Sequence, residues 1–277
     1  MAFKRTTLLL SVGALIGISY DVRSRIPAAY IESLKSFQSP PVETTQPKAW
    51  VRELGGDVTL FNYFESRVLV PGTKHSLWKT RWVEQLTGID ALRERVFFDA
   101  DSLQLVRYEI EKIQLEEKGW FDVDHENRKV RFEYFKNNEW KQSEDSYNHE
   151  LLIGALLPKF ISAKKDILMK GDDVDLSLAV PFMRKVYSFT LRKDSKVQFQ
   201  GQNLIKIKLS ASNMLMRAVV KPLYFFYSPE EDQVKKIEGK VFLKKRIGSD
   251  PDKWDSFEAE SLFINPKELG VESPNDS

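Results

Sequence analysis

The sequence predicts a mainly β protein: one strongly curved, half-barrel-like antiparallel sheet with one or two short helices, preceded by an N-terminal signal or anchor helix. Three observations carry this expectation. Across residues 203–248, Ile205, Ile207, Leu209 and Ala211 alternate with Lys206, Lys208, Ser210 and Ser212, and Ile237, Gly239, Val241 and Leu243 alternate with Glu238, Lys240 and Lys244. That is the period of a strand with one dry face. Strand-like runs follow one another with only turn formers between them, so the connections are local and the pairing antiparallel. Finally, aromatic residues make up 12% of the chain and occupy both faces of several runs, whereas a sheet that covers only its own core needs one apolar face. A curved sheet accounts for the second face, its concave side either covered by a helix or open to an apolar ligand.

From the N-terminus, Lys4 and Arg5 precede an apolar run over residues 6–20 that includes Leu8, Leu9, Leu10, Val12, Leu15 and Ile16. This is the layout of a bacterial export signal. As a helix the run would be roughly 22 Å long, short of the ~30 Å hydrocarbon core. Residues 1–20 therefore read as an export signal, with an uncleaved signal anchor as the alternative. Either places the remainder in the periplasm, free or anchored to the inner membrane. Residues 21–48 hold Pro27, Pro40, Pro41 and Pro47 and read as a Pro-rich linker. A single β domain is expected over residues 49–265, and the acidic, polar residues 266–277 read as a flexible tail.

Within the domain, residues 58–70 and 78–86 read as strands and residues 88–95 as a short helix. Residues 96–98 and 103–115 flank the turn formers Asp99, Ala100, Asp101 and Ser102 as a hairpin. Phe121 and Val123 face Val130, Phe132 and Tyr134 in a second hairpin, and Asn137-Asn138 turns a third ahead of Trp140. Leu151, Leu152, Ala155 and Leu156 lie at helical spacing, which predicts a helix over residues 149–157 capped by Asn148 and ended by Pro158. A strand over residues 182–191 and the alternating stretch described first complete the domain.

The chemistry is sparse. A net charge of +2 gives no electrostatic footprint for nucleic acid. Without cysteine there are no disulfides, thiolate nucleophiles or zinc–thiolate sites. His75, His125 and His149 stand in separate segments without ligand spacing, so no metal site is expected. Asp122, Asp124, Glu126 and Glu133 have the approximate spacing of a calcium loop, but Asn127 replaces the required glycine and the flanks alternate as strands. Asp172, Asp173 and Asp175 after Gly171 are ordinary turn chemistry. No nucleophile elbow or glycine-rich phosphate loop is present, and neither catalytic residues nor a cofactor are assigned. The candidate ligand-binding residues are aromatic: Phe182, Phe189, Phe225 and Phe242.

The C-terminal half has a recognisable order. The helix expected around residue 149 is followed by Gly171-Asp172, Phe189-Thr190-Leu191, Gln200-Gly201-Gln202-Asn203-Leu204-Ile205-Lys206-Ile207, an aromatic strand into Tyr227-Ser228, and Val234-Lys235-Lys236-Ile237-Glu238-Gly239. In this order it resembles the bacterial envelope proteins grouped as domain of unknown function 3108. The resemblance implies an exported protein with a strongly curved antiparallel sheet, similar to the half-barrel of lipoprotein carriers, and it carries no catalytic residues over. The expectation is a periplasmic, non-enzymatic binding or carrier-like protein with an apolar groove for a lipid or amphiphile. The alternative is an envelope structural or interaction protein that binds another protein through its sheet edge or aromatic face.

Overall fold

The computed structural model describes residues 47–70, 74–247 and 253–264. The expected export segment, the tail and all but the last two residues of the linker lie outside the described residues. The sheet lies within one compact unit of the chain, apart from Leu69 at the end of one strand.

Among the described residues fifteen strands form one sheet. The first eight are β1 (Ala49–Glu53), β2 (Thr59–Leu69), β3 (His75–Glu84), β4 (Asp90–Asp99), β5 (Leu105–Lys112), β6 (Glu117–Asp124), β7 (Lys129–Lys136) and β8 (Glu139–Ser146). The remainder are β9 (Glu150–Leu152), β10 (Val174–Val180), β11 (Lys185–Phe199), β12 (Gln202–Ala211), β13 (Leu223–Ser228), β14 (Gln233–Arg246) and β15 (Trp254–Phe263). Among the described residues three short helices accompany them: α1 (Leu157–Ala163), α2 (Lys165–Lys170) and α3 (Met214–Val219). Strands β1 to β8 are successive neighbours, β9 to β15 are successive neighbours, and β15 pairs with β1. The short β9–β10 ladder is parallel, and the other ladders with a defined register are antiparallel.

The sheet is curved and unclosed. Among the described residues no ladder joins β8 to β9, yet the two edges approach each other. Asp145 on β8 accepts the Val186 N–H of β11 at 2.9 Å, and Ser143 donates to the Arg184 carbonyl at 2.8 Å. An edge strand reaches the far side of a fifteen-stranded sheet only if the sheet bends most of the way round. Strand twist supplies part of that bend. Register shifts at Val51/Arg52, Trp82/Val83, Phe97/Phe98, Lys193/Ser195 and Phe226/Tyr227 add local twist and bending. The chain crosses the open seam from β8 to β9, where Arg128 donates to the carbonyls of Tyr147 and Asn148 and stacks on the Tyr147 ring at 5.1 Å.

The concave face carries the core. The alternation in β12 buries Ile205, Ile207, Leu209 and Ala211, and pairing sets Ile207 beside Phe225 and Phe225 beside Ile237. Phe61, Phe121 and Phe132 fill the corresponding positions of the other half, each worth about 1.5–3 kcal/mol of burial. Gly119 on β6 allows the Tyr134 ring to lie flat on the strand, since a Cβ there would stand 2.3 Å from Tyr134 Cδ2. The second apolar face of β13 is covered from outside by lysines rather than by a second layer. Lys206 Nζ sits 4.1 Å from the Tyr224 ring centroid and 5.6 Å from that of Phe226, and Lys236 Nζ lies 5.2 Å from Phe226. Their alkyl stems screen the rings while the ammonium groups remain over the faces.

Four local expectations are corrected. Residues 149–157 do not form one helix: β9 takes the first part, a 3-10 turn (Gly154–Leu156) follows, and α1 begins at Leu157. Pro158 opens α1 rather than ending a helix, because its missing N–H would be unpaired in the first turn anyway. Residues 88–95 are not helical but open β4, whose pairing on both sides overrides local propensity. The strand expected over residues 182–191 starts only at Lys185, after a 3-10 turn (Pro181–Met183) and Arg184 in the left-handed region. β15, which sequence reading did not separate out, is the strand that joins the two halves.

Candidate functional site

Helix α1 packs into the concavity through Leu157, Phe160 and Ile161, all buried, and α2 ends at Gly171 in the left-handed conformation (φ 95°). Asp232, in the β13–β14 turn, ties this segment down. It accepts from the Ser162 and Tyr227 hydroxyls and from Lys165 Nζ at 2.6 Å. Burial works to raise the Asp232 carboxyl, but Lys165, Ser162 and Tyr227 outweigh it and hold the pKa at about 2.

The helix leaves part of the concavity unfilled. A cavity of 470 Å³ remains, a size typical of small-molecule sites. Its walls come from β2 (Tyr63, Glu65), β3 (Trp78, Trp82), β4 (Leu92, Glu94), β5 (Tyr108, Ile110) and β14 (Ile237, Val241, Phe242), with Ile153, Ala155 and Pro158 closing the helical side. Most of these side chains are apolar or aromatic, as the alternation of an inward-facing sheet surface requires.

Polar groups interrupt the apolar wall: Ser162 and Asp232 on one side, Lys48, Lys159 and Lys240 among the lining, and a buried cluster around Glu94. Glu94 is buried and accepts from Tyr108 Oη at 2.5 Å, Thr80 Oγ1 at 2.6 Å and Trp82 Nε1 at 3.2 Å. All three donors are neutral, and among the described residues no cation pairs with this carboxylate. A carboxylate offers about four acceptor positions, so one direction stays open for a further donor. Beside it, Tyr63 donates to Glu65 at 3.0 Å and packs against Trp82 with centroids 4.6 Å apart. Burial, and then the carboxylates of Glu65 and Glu94, push the Tyr63 phenol well above its usual range. Burial and Glu94 do the same to Tyr108. Both phenols therefore stay protonated donors at neutral pH. Lys159 lies over the Trp78 ring at 5.1 Å, its pKa lowered by burial and by Arg67.

The four aromatic candidates separate. Phe182 and Phe242 line the cavity and meet edge to face with centroids 5.1 Å apart, and Lys112 Nζ sits 4.3 Å from the Phe182 centroid. Phe242 is 48% exposed and so stands at the lip. Phe225 is 1% exposed, sealed in the core between Ile207 and Ile237. Phe189, half-buried on β11 opposite Leu176 and Ala211, packs against the core but does not line the cavity. Sequence reasoning missed Glu94 and its donors. Trp78, Thr80 and Trp82 at alternate positions of one strand were the available sign, but reading residues 88–95 as helix removed Glu94 from the opposing strand.

His125 and His149 line one pocket beside the crossing segment, while His75 stands on β3 opposite Asp99. His125 bonds to the Leu105 carbonyl through Nε2 at 2.7 Å and to Tyr147 Oη through Nδ1 at 2.9 Å. Both ring nitrogens are thus engaged in holding the crossing segment, and burial lowers the pKa of the ring.

No family model matches the chain, and no curated protein matches it. Among solved structures it is similar to a β-barrel-like protein of domain of unknown function DUF1849 from Brucella abortus, with a TM-score of 0.44 at 10% identity over 79% of this chain and 96% of that one.

Proposed function

We propose that this chain is a non-enzymatic binding or carrier protein that holds a lipid or other amphiphile in the cavity of its curved sheet, working in the periplasm, free or anchored to the inner membrane. The observation that carries the reading is the 470 Å³ space that α1 leaves open against an aromatic wall. A sheet serving only as a protein-binding scaffold has no need of such a space, and filling it with larger side chains would be stabilising. The buried polar cluster at Glu94 suits an amphiphile: apolar length along Trp78, Ile110 and Phe242, and one polar group meeting the carboxylate. The resemblance to the domain of unknown function 3108 proteins, and the basic-then-apolar start of the chain, support the envelope setting.

The test is mass spectrometry of small molecules that co-purify with the protein from its own envelope, paired with displacement of a fluorescent fatty-acyl probe. A bound amphiphile that competes with the probe is expected. Protein that purifies empty and does not bind the probe saturably would sink the reading and leave the interaction-protein alternative. For the setting, residues 1–47 fused to a reporter active only in the periplasm should give activity.

A further inference from the structure

The two ends of the sheet differ in the chemistry of their turns. Consecutive antiparallel strands put the β4–β5, β6–β7 and β13–β14 turns at one end, and these carry Asp99, Asp101, Asp124, Glu126, Glu230 and Glu231. The β1–β2, β3–β4 and β12–β13 connections lie at the opposite end, where large apolar side chains stand exposed among polar ones such as Asp57, Gln85, Thr87 and Arg217. Val58, Leu86, Met214, Leu215 and Val219 are each between 72% and 85% exposed. Between these connections in the sheet order, β14 adds Ile247 just beyond its end, 48% exposed. A lone exposed leucine needs no explanation, and the acidic end also exposes Val68 and Leu69 beside the β2–β3 connection, but large apolar side chains on successive connections of one end form a surface with a purpose.

We propose that this apolar end docks on a lipid surface carrying anionic headgroups. Three features favour lipid over a protein partner. The apolar residues project from separate turns and from the short α3, and a fluid medium fills the gaps between such tips where a rigid partner surface would have to match them. Of the carboxylates near that end, Glu53, Glu84 and Glu258 are already paired with Lys245, Arg246 and Lys221, while Asp57 is exposed. The Arg217 guanidinium, in contrast, among the described residues donates only to the carbonyls of Ala211 and Ser212, leaving its charge for phosphate. The cavity lip at Phe182 and Phe242 belongs to the same end, so an amphiphile would pass between bilayer and cavity without crossing bulk water. The docking stands on the turns themselves and goes beyond the ligand reading, with which it can be true or false independently.

The chain has no cysteine, so single cysteines report cleanly. An environment-sensitive dye is coupled to the full chain at Leu86→Cys, at Leu215→Cys and, on the opposite end, at Glu230→Cys. Vesicles of phosphatidylethanolamine and phosphatidylglycerol are then added without other ligand. The dyes at the first two positions should shift to the blue and be quenched by lipid-borne quenchers, while the third stays in water. In the Leu86→Glu, Leu215→Glu double variant, carrying the dye at Val58→Cys, the lipid concentration needed should rise about tenfold or more relative to the same label in the parent. Sedimentation with vesicles while the first two dyes stay in water would overturn the proposal, because the contact would then lie elsewhere in the chain. So would an equal response at Glu230→Cys. Burial of the first two dyes with rising protein concentration and no lipid would instead assign this end to a second copy of the chain.

Discussion

Gly154→Trp should close the cavity without disturbing the fold. Gly154 lies in the 3-10 turn ahead of α1 and lines the cavity, and a Cβ built on it meets only Phe242 Cε2, at 4.0 Å. A large side chain therefore has room to enter the lip without moving backbone. If the indole takes the place of about three ligand methylenes at ~0.8 kcal/mol each, binding weakens by about 2.4 kcal/mol, or roughly fifty-fold. Stability should change by no more than about 0.5 kcal/mol, the usual range for a substitution that breaks no buried contact. The assay is titration with a fluorescent fatty-acyl probe, with thermal unfolding followed in parallel and Gly154→Ala as the control that leaves the space open. Unchanged probe affinity in a variant that melts like the parent would show that the ligand does not use this cavity.

The other expectations follow from burial and charge. Phe242→Asp should weaken probe binding with the melting temperature nearly unchanged, whereas Phe225→Asp, placing a charge in a sealed core, should cost at least about 4 kcal/mol and abolish the cooperative unfolding transition. The two variants behaving alike in circular dichroism would contradict the division of these phenylalanines between lip and core. Asp232 has its pKa depressed from 3.8 to about 2, so its contribution to stability is complete above the unfolded value and fades as the pH falls through the folded one. Acid unfolding monitored between those values should show a loss of stability that Asp232→Asn lacks. Gly119→Ala forces a methyl group against the Tyr134 ring and the Glu133 carbonyl and should destabilise by about 1–3 kcal/mol in denaturant unfolding; an unperturbed midpoint would mean β6 and β7 are not that closely packed.

Much of the β architecture was legible because period-two alternation is a local property. β12 and β14 read directly from their sequences, as did the hairpins turned by Asp99 to Ser102 and by Asn137-Asn138. What failed was decided by distant partners. Residues 88–95 have no strong strand pattern alone and become β4 only because β3 and β5 flank them. Pro158 looks like a stop when read toward the preceding residues and is a start when α1 packs after it. At the site, Phe182 and Phe242 could be named from sequence as apolar, but pairing register decides which side of the sheet a residue faces. That is why Phe225, equally apolar, lies in the core, and why Glu94, a charged residue in a misread segment, went unnoticed.

The β1–β15 ladder has a consequence for the birth of the molecule. Val51 pairs with Ser261, while nearly every other ladder joins neighbours in sequence, so this single pairing carries the largest contact order in the sheet. Two meanders, β1–β8 and β9–β15, can each condense from local contacts, and they cannot be zipped together until the last strand has been made. Until then β1 presents an unpaired strand edge to the surrounding solution, the kind of edge that recruits other chains into aggregates. A protein built this way is expected to fold slowly in its final step, and to gain most from a chaperone during the interval between the appearance of β1 and that of β15.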